Sequence, residues 1–321
     1  MIENVVREVI NLETLNKNFL RKRSKKLSSS HDGENRFVFI CLAPVMVLFL
    51  TFNLIPIFIS VVLSLFNYSP LSSKSPFIGL ENYVNLFKDY IFIKTISNTV
   101  VFVIIAVGIN LVISTFVALS INSVVHNRLR DLFRAFVFLP TVTPVVGGAL
   151  IWTTIFEPNY GFIRMILANI GYNTPVYWLT DAKLVLPSVI IMTLWQDLGY
   201  NIVIVTAGLY AIPKIFYEAA YLDGASKIVV FFKITLPLLM RTVLFVSVMT
   251  IISYFQVFTQ VQIMTQGGPN YASQVIALSI YQNAFAYEKM GYASAIAVLL
   301  LMIIMIISAL QLKFFKQDWE Y

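Results

Sequence analysis

Long apolar stretches alternate with short polar segments along most of the chain. A helix needs roughly 20 apolar residues to cross a bilayer core about 30 Å thick. Six stretches meet this length, at about residues 37–66, 96–123, 135–156, 185–211, 242–264 and 291–312. The pattern therefore predicts an all-α, polytopic membrane protein with six transmembrane helices. The first stretch has 30 residues without a charge, so we expect its helix to tilt, kink or protrude.

Composition excludes most classes of soluble enzyme. Of the 321 residues, 58% are hydrophobic and 12% are charged, whereas soluble domains carry about 25% charged residues. Cys41 is the single cysteine, which excludes an intrachain disulfide and a cysteine metal cluster. No grouping of His, Asp and Glu suggests a catalytic, metal or cofactor site, and nothing indicates nucleic-acid binding.

Lysine and arginine are distributed unevenly between alternate polar segments. The N-terminal arm, the loops at 124–134 and 212–241 and the C-terminal tail hold 17 of them, and the other three loops hold 6. Because positively charged loops remain in the cytoplasm, both termini are predicted to be cytoplasmic. Apolar residues at helical spacing and a basic cluster predict that residues 1–36 form a cytoplasmic basic amphipathic arm. This arm either lies on the anionic inner leaflet or only enforces orientation. Residues 37–315 form the membrane domain, and 316–321 a cytoplasmic tail.

The cytoplasmic loop at 212–237 carries the most specific pattern in the chain. A short amphipathic helix is predicted at 217–227, and its small residues would let another protein approach closely. Seven positions share a fixed spacing, namely Glu218, Ala219, Ala220, Gly224, Ile234, Leu236 and Pro237.

This spacing resembles the signature of the membrane subunits of binding-protein-dependent ABC importers. Further segments resemble the carbohydrate branch of that family: Asp223-Gly224-Ala225, Ile212-Pro213, Gln266-Gly267-Gly268-Pro269 and Gly79-Leu80-Glu81-Asn82-Tyr83. The resemblance covers about residues 37–315 and implies the permease fold of a type I ABC importer.

The resemblance also implies function and partners. The chain lacks a G-x-x-x-x-G-K phosphate loop, so no cofactor is expected in it, and it is expected not to be an enzyme. ATP and Mg²⁺ would be bound by two separate ATPase subunits. A second, different permease subunit, a sugar-binding protein outside the membrane, membrane lipid and a sugar or oligosaccharide complete the expected partners, in the inner membrane of a bacterium or archaeon. The residues implied in ATPase coupling are Glu218, Ala219, Ala220, Asp223, Gly224 and Ala225.

Two clusters of polar and aromatic residues are candidates for the substrate path. In the fifth stretch, Thr250, Ser253, Gln256 and Gln260 would share one face of a continuous helix. The full set of candidates is Trp195, Asp197, Asn201, Ser253, Tyr254, Gln256, Gln260 and Tyr281. Either these residues contact sugar, or they form hydrogen bonds between helices.

An ion-coupled secondary transporter and another kind of polytopic membrane subunit remain as alternatives. A secondary transporter is expected to carry ionisable residues in several spans and an internal repeat. Only Asp197 lies within a stretch, and no repeat is visible.

Overall fold

The computed structural model describes residues 37–123 and 126–314. The predicted arm at 1–36 and the predicted tail at 316–321 lie outside the described residues, and both stay predictions.

The described residues fall into two compact units, divided between Ile59 and Ser60. The prediction of an all-α fold is confirmed. In the described parts of the chain, extended pairing is limited to one antiparallel bridge between Phe66 and Phe77.

Thirteen α-helices are present among the described residues. They are α1 Phe37–Leu63, α2 Glu81–Lys88, α3 Tyr90–Asn122, α4 Asn127–Val142, α5 Val145–Ile155, α6 Phe162–Asn169, α7 Val185–Ala211, α8 Lys214–Leu222, α9 Lys227–Val230, α10 Leu236–Phe255, α11 Thr259–Met264, α12 Ile276–Tyr281 and α13 Met290–Phe314. Three π-helical turns accompany them, at Leu50–Leu54 within α1, Phe231–Thr235 before α10 and Gln282–Ala286 after α12.

Within the described ranges, five helical segments are long and apolar enough to cross a membrane. They are α1, α3, α7, the segment Lys227–Met264 and α13. The pair α4 and α5 adds a sixth if it is taken as one span, which agrees with the six spans predicted.

The third predicted span is bent by 95° between α4 and α5. The break falls at Thr143, whose backbone is extended (φ −69°, ψ 131°), directly before Pro144. A residue before proline avoids the helical conformation because the proline ring crowds it. Two hydrogen bonds to α7 hold the break: Thr141 donates to the Gln196 carbonyl (2.9 Å), and Gln196 Nε2 donates to the Thr143 carbonyl (2.8 Å).

The first span is distorted where the sequence predicted a tilt, kink or protrusion. Its π-helical turn at Leu50–Leu54 lies immediately before Pro56. Proline has no N–H to donate and its ring crowds the carbonyl four residues earlier, so a locally widened turn suits this position.

The fifth span differs from the prediction of one continuous helix. Helix α10 ends at Phe255 and α11 begins at Thr259. Between them the Gln256 N–H donates to the Ser253 carbonyl (3.1 Å), which tightens the last turn. Gln260 therefore lies on a different helix from Thr250 and Ser253, and the predicted polar stripe is interrupted.

Helix α7 lies at the centre of the membrane domain. Buried apolar residues of α7 pack against α3 and α10 in two clusters along its length. The close approach to α10 depends on Gly208, where a Cβ would collide with the side chain of Thr242. Small residues at such crossings let membrane helices pack backbone to backbone.

The segment from Gly79 to Tyr83 stabilises the chain after the first span. Asn82 Nδ2 donates to the carbonyls of Ser64 (2.7 Å) and Phe66 (3.1 Å), and the Tyr83 hydroxyl donates to Ser64 Oγ (2.8 Å). This part of the sequence signature thus has a structural role.

Candidate functional site

The segment 212–237 forms a helix, a tight turn and a second helix. The predicted continuous helix at 217–227 is wrong, because α8 ends at Leu222 and α9 starts only at Lys227. The turn is a Schellman motif: the N–H of Ala225 donates to the Ala220 carbonyl (2.9 Å), and that of Gly224 to the Tyr221 carbonyl (3.1 Å).

Gly224 is required by the backbone of this turn. Its φ is +74°, a left-handed conformation that costs an ordinary L-residue about 1–2 kcal/mol. No atom of the described chain lies within 4 Å of the position that a Cβ would take. A side chain at 224 would therefore strain the backbone and project into open space without meeting its own fold.

The other predicted coupling residues divide into two groups. Glu218, Ala219 and Asp223 are exposed, so they are accessible to another protein. Ala220 is buried and Ala225 is half-buried, so these two small residues pack against their own chain. Ser226 begins α9, and its Oγ accepts from the Val229 N–H (3.4 Å).

The segment also exposes large apolar side chains. Among them, Leu222 is 89% exposed and Ile228 is 71% exposed. Tyr217 faces inward, with its hydroxyl 3.3 Å from Thr235 Oγ1, which ties α8 to the π-helical turn that leads into α10. The arrangement presents apolar surface on a braced helix, as a docking element requires.

A cavity of about 280 Å³ lies between α4, α7 and α10. It brings together four of the predicted path residues from both clusters: Asp197, Asn201, Ser253 and Tyr254. Thr141, Tyr200, Met249 and Thr250 complete the wall.

A buried hydrogen-bond network lies at the base of this cavity. Asn201 Nδ2 donates to Asn110 Oδ1 (2.6 Å) and to Thr250 Oγ1 (3.0 Å), and Asn110 Nδ2 donates to the Tyr254 hydroxyl (2.9 Å). The network joins α3, α7 and α10. This geometry favours the interhelical role for Asn201 and Tyr254, which are both buried.

Asp197 and Ser253 are, with the exposed Tyr200, the members of the wall with free polar groups. Asp197 is half-buried and Ser253 is exposed. Within residues 37–123 and 126–314, neither side chain forms a hydrogen bond or an ion pair, so both can interact with a passing solute.

The remaining path candidates lie outside this cavity. Trp195 packs against Trp152, with 5.9 Å between ring centroids. Gln256 is exposed and Gln260 is half-buried beyond the end of α10. Tyr281 stacks between Phe258 (5.1 Å) and Phe285 (5.3 Å).

Sequence reasoning missed Asn110 and a second polar cavity. Asn110 could have been found as the amide in the middle of the second apolar stretch. The second cavity, of about 530 Å³, lies at the ends of the spans away from α8, among the loops around α2, α12 and α13. Its polar wall includes Glu81, Asn85, Asn283 and Lys289.

Known proteins resemble this chain in sequence and in fold. Residues 110–319 match the family described as "Binding-protein-dependent transport system inner membrane component". The probable ABC transporter permease protein YurN of Bacillus subtilis is 38% identical over 294 residues, covering 90% of this chain and 99% of YurN. The sulfoquinovosyl glycerol transport system permease protein SmoG of Agrobacterium fabrum is 31% identical over 286 residues, covering 88% of this chain and 92% of SmoG.

A solved structure has the same fold. It is a bacterial alginate ABC transporter in complex with an alginate pentasaccharide-bound periplasmic protein. One of its chains matches with a TM-score of 0.77 and 24% identity, over 87% of this chain and 93% of that chain. The chain described here is thus a member of the family of binding-protein-dependent transport system inner membrane components.

Proposed function

We propose that this chain is the permease subunit of an ATP-driven importer for a sugar or sugar derivative, which a solute-binding protein delivers from outside. The single observation that carries the proposal is the segment 212–237. There four of the seven spaced signature positions lie on α8 and its glycine-dependent turn, and the other three lie where the π-helical turn leads into α10. A separate ATPase would bind this segment, which we call the docking segment, with α8 as its docking helix.

The exposed apolar residues support docking of an ATPase. Leu222 and Ile228 lie on either side of the Schellman turn and contribute little to their own fold. Large apolar surface on a polar-flanked loop marks a protein interface. Closure of the ATPase around α8 would pull on α10, because the Tyr217–Thr235 contact connects the two.

The nature of the substrate is supported by relatives and by the cavity. SmoG is named for the transport of sulfoquinovosyl glycerol, and the alginate transporter was solved with a pentasaccharide-bound periplasmic protein. Asp197, Tyr200 and Ser253 supply acceptors, a hydroxyl donor and an aromatic ring, which suit the hydroxyl groups and C–H faces of a sugar. The polar cavity among the outer loops would receive the substrate from the binding protein.

The remaining partners and the orientation belong to the same proposal. The assembled transporter contains a second, different permease subunit and two ATPase subunits that bind ATP and Mg²⁺. Both termini and the segment 212–237 face the cytoplasm, as the 17-to-6 distribution of basic residues predicts. Hydrolysis takes place on the ATPase, and this chain acts as a transport subunit.

The test replaces Gly224 by leucine in the full complex, reconstituted in proteoliposomes with its ATPase and binding protein. Strain in the turn and bulk on the docking surface should together reduce both binding-protein-stimulated ATP hydrolysis and uptake at least fivefold, because the two sites are energetically coupled. Gly224→Asn should lose less, since asparagine tolerates the left-handed conformation.

Gly171→Leu is the matched control, since Gly171 also has a positive φ (+88°) and open space around it, outside the docking segment. Unchanged hydrolysis and uptake in Gly224→Leu would contradict the docking assignment. Uptake that stops when an ionophore collapses ion gradients, while ATP is maintained, would instead support the ion-coupled alternative.

A further inference from the structure

A further cavity, of about 500 Å³ and with a basic lining, lies where α3, α4, α7 and α8 meet. We call it the basic cavity. Its polar wall is formed by Asn122, Arg130, Tyr210, Lys214, Tyr217 and Tyr221. Two cations and three tyrosine hydroxyls thus face one space, and no Asp or Glu is among the residues that line it. The cavity lies at the same end of the membrane domain as the docking segment.

Arg134 adds a third cation, one turn from Arg130. Its guanidinium lies over the Tyr210 ring, 5.1 Å from the centroid, and donates to the Tyr210 hydroxyl. The nearest carboxylate is that of Asp131, 3.4 Å from Arg134 but largely exposed. Arg130 donates to the neutral amide of Asn127 (2.6 Å). For both arginines, Nε is buried and meets no acceptor among the described residues.

The positive charge around this cavity favours the binding of an anion. Three cations are balanced by a single exposed carboxylate, and Lys214 Nζ and Arg130 Nη1 have no hydrogen-bond acceptor among the described residues. A phosphate oxygen is the acceptor that arginine geometry suits best. Basic pockets between membrane helices on the cytoplasmic side are suited to anionic lipid head groups.

An apolar groove of about 360 Å³ adjoins the basic cavity. It runs between α3 and α10 and is lined by Leu111, Val112, Phe116, Leu119, Met240 and Val243. Leu119 lines both spaces, so they follow one another along α3. From Leu119 to Leu111 the groove extends about 12 Å along the helix, away from the basic cavity.

We propose that the two spaces together hold one anionic phospholipid. Its phosphate lies against Arg130 and Lys214, with Arg134 as a further cation one turn from Arg130, and one acyl chain lies in the groove between α3 and α10. A soluble phosphate would leave the groove unfilled, and a zwitterionic head group would bring an amine to a site with three cations. The inference rests on the proposed function for its orientation, which places the cavity at the inner leaflet.

Lipid occupancy would affect coupling through α8. Lys214, Tyr217 and Tyr221 lie on one face of α8 and form part of the cavity wall. A bound head group would therefore hold the docking helix in place. We expect the complex to hydrolyse ATP faster in bilayers that contain phosphatidylglycerol than in phosphatidylcholine alone.

The test counts phosphatidylglycerol on the purified full complex by native mass spectrometry, with phosphatidylcholine as the competitor. Each basic residue near an anionic lipid surface is worth about fivefold in affinity, so Arg130→Gln alone should weaken retention about fivefold, and Arg130→Gln with Arg134→Gln about 25-fold. Arg128→Gln is the matched control, because it removes the same charge from an exposed position of α4 outside the cavity. Val112→Trp, which fills the groove, should also displace the lipid while leaving the arginines in place.

Several results would overturn the proposal. Equal losses in Arg128→Gln and in Arg130→Gln, which each remove one charge, would mean diffuse surface attraction. Displacement of the lipid by inorganic phosphate, with Val112→Trp unaffected, would mean a soluble anion site. Lipid bound to the isolated permease but excluded from the complex would mean that a partner protein fills the cavity. The expected lipid losses in a chain to which no ATPase binds, even without substitutions, would count against the proposed function alone.

Discussion

Asn110 connects three helices through one amide group. It accepts from Asn201 on α7 and donates to Tyr254 on α10, and all three side chains are buried. Interhelical hydrogen bonds in membrane proteins contribute on average about 0.6 kcal/mol each. The network therefore adds little net stability. It favours one alignment of α3, α7 and α10, because another alignment would leave a buried amide without a hydrogen-bond partner, which is costly.

Replacing Asn110 by leucine should lower the free energy of unfolding of the purified complex by about 1 kcal/mol, since two such bonds are lost. Ser253→Ala removes a hydroxyl on the cavity wall that bonds no other described residue, so it should leave stability unchanged and raise the KM for uptake. Thermal unfolding in detergent and transport kinetics measure the two effects. A stability loss in Ser253→Ala with normal KM would place Ser253 in the interhelical network and outside the path.

At the scale of helices, the crossing of α7 and α10 depends on the pair Gly208 and Thr242. A Cβ at 208 would overlap the threonine side chain, and overpacking of this kind costs about 1–3 kcal/mol. We expect Gly208→Ala to reduce the yield and thermal stability of the assembled complex. Thr242→Gly in the same chain should restore at least half of the loss, because it removes the colliding atoms. Additive losses in the double variant would refute this account of the crossing.

Some features of the helices could be predicted from the sequence, and others could not. Apolar length and proline placement predicted the number of spans and the distortion of the first one, because both depend on local backbone chemistry. The interruption at residues 256–258 was missed, because no proline or glycine lies there and helical periodicity continues through Gln256 and Gln260. The turn at Gly224 is predictable from the sequence, because glycine after a helix favours a Schellman motif.

The candidate cavity was predicted in part for a different reason. Asp197 and Ser253 attract attention as polar residues within apolar stretches, but only the packing of α7 against α10 places them on one wall. Asn201 and Tyr254 share the same polar character, and their partners on α3 direct them to the interhelical network. Composition identifies polar residues in a membrane, whereas tertiary packing decides which of them remain accessible.

At the scale of the whole molecule, the proposals share one orientation in the membrane. Docking of an ATPase, delivery by a binding protein and binding of inner-leaflet lipid all require the segment 212–237 to face the cytoplasm. Four basic residues cluster at the same end of the membrane domain as that segment, namely Arg128, Arg130, Arg134 and Lys214. Transferring such a cluster across the membrane during insertion is unfavourable, which is the basis of the positive-inside rule.

Cysteine labelling tests this orientation directly, after the native Cys41 is replaced by serine. Ile228→Cys lies on the exposed surface of α9, and Ser72→Cys lies on the exposed loop between α1 and α2. In intact spheroplasts a membrane-impermeant maleimide should label Ser72→Cys within minutes and should leave Ile228→Cys unlabelled until the membrane is permeabilised. Because the proposed ATPase would cover Ile228, the chain is expressed without its ATPase, so that a difference between the two positions reports the side of the membrane and not burial. Labelling of Ile228→Cys in intact spheroplasts would invert the topology. It would separate α8 from any cytoplasmic ATPase and place the basic cavity at the outer leaflet.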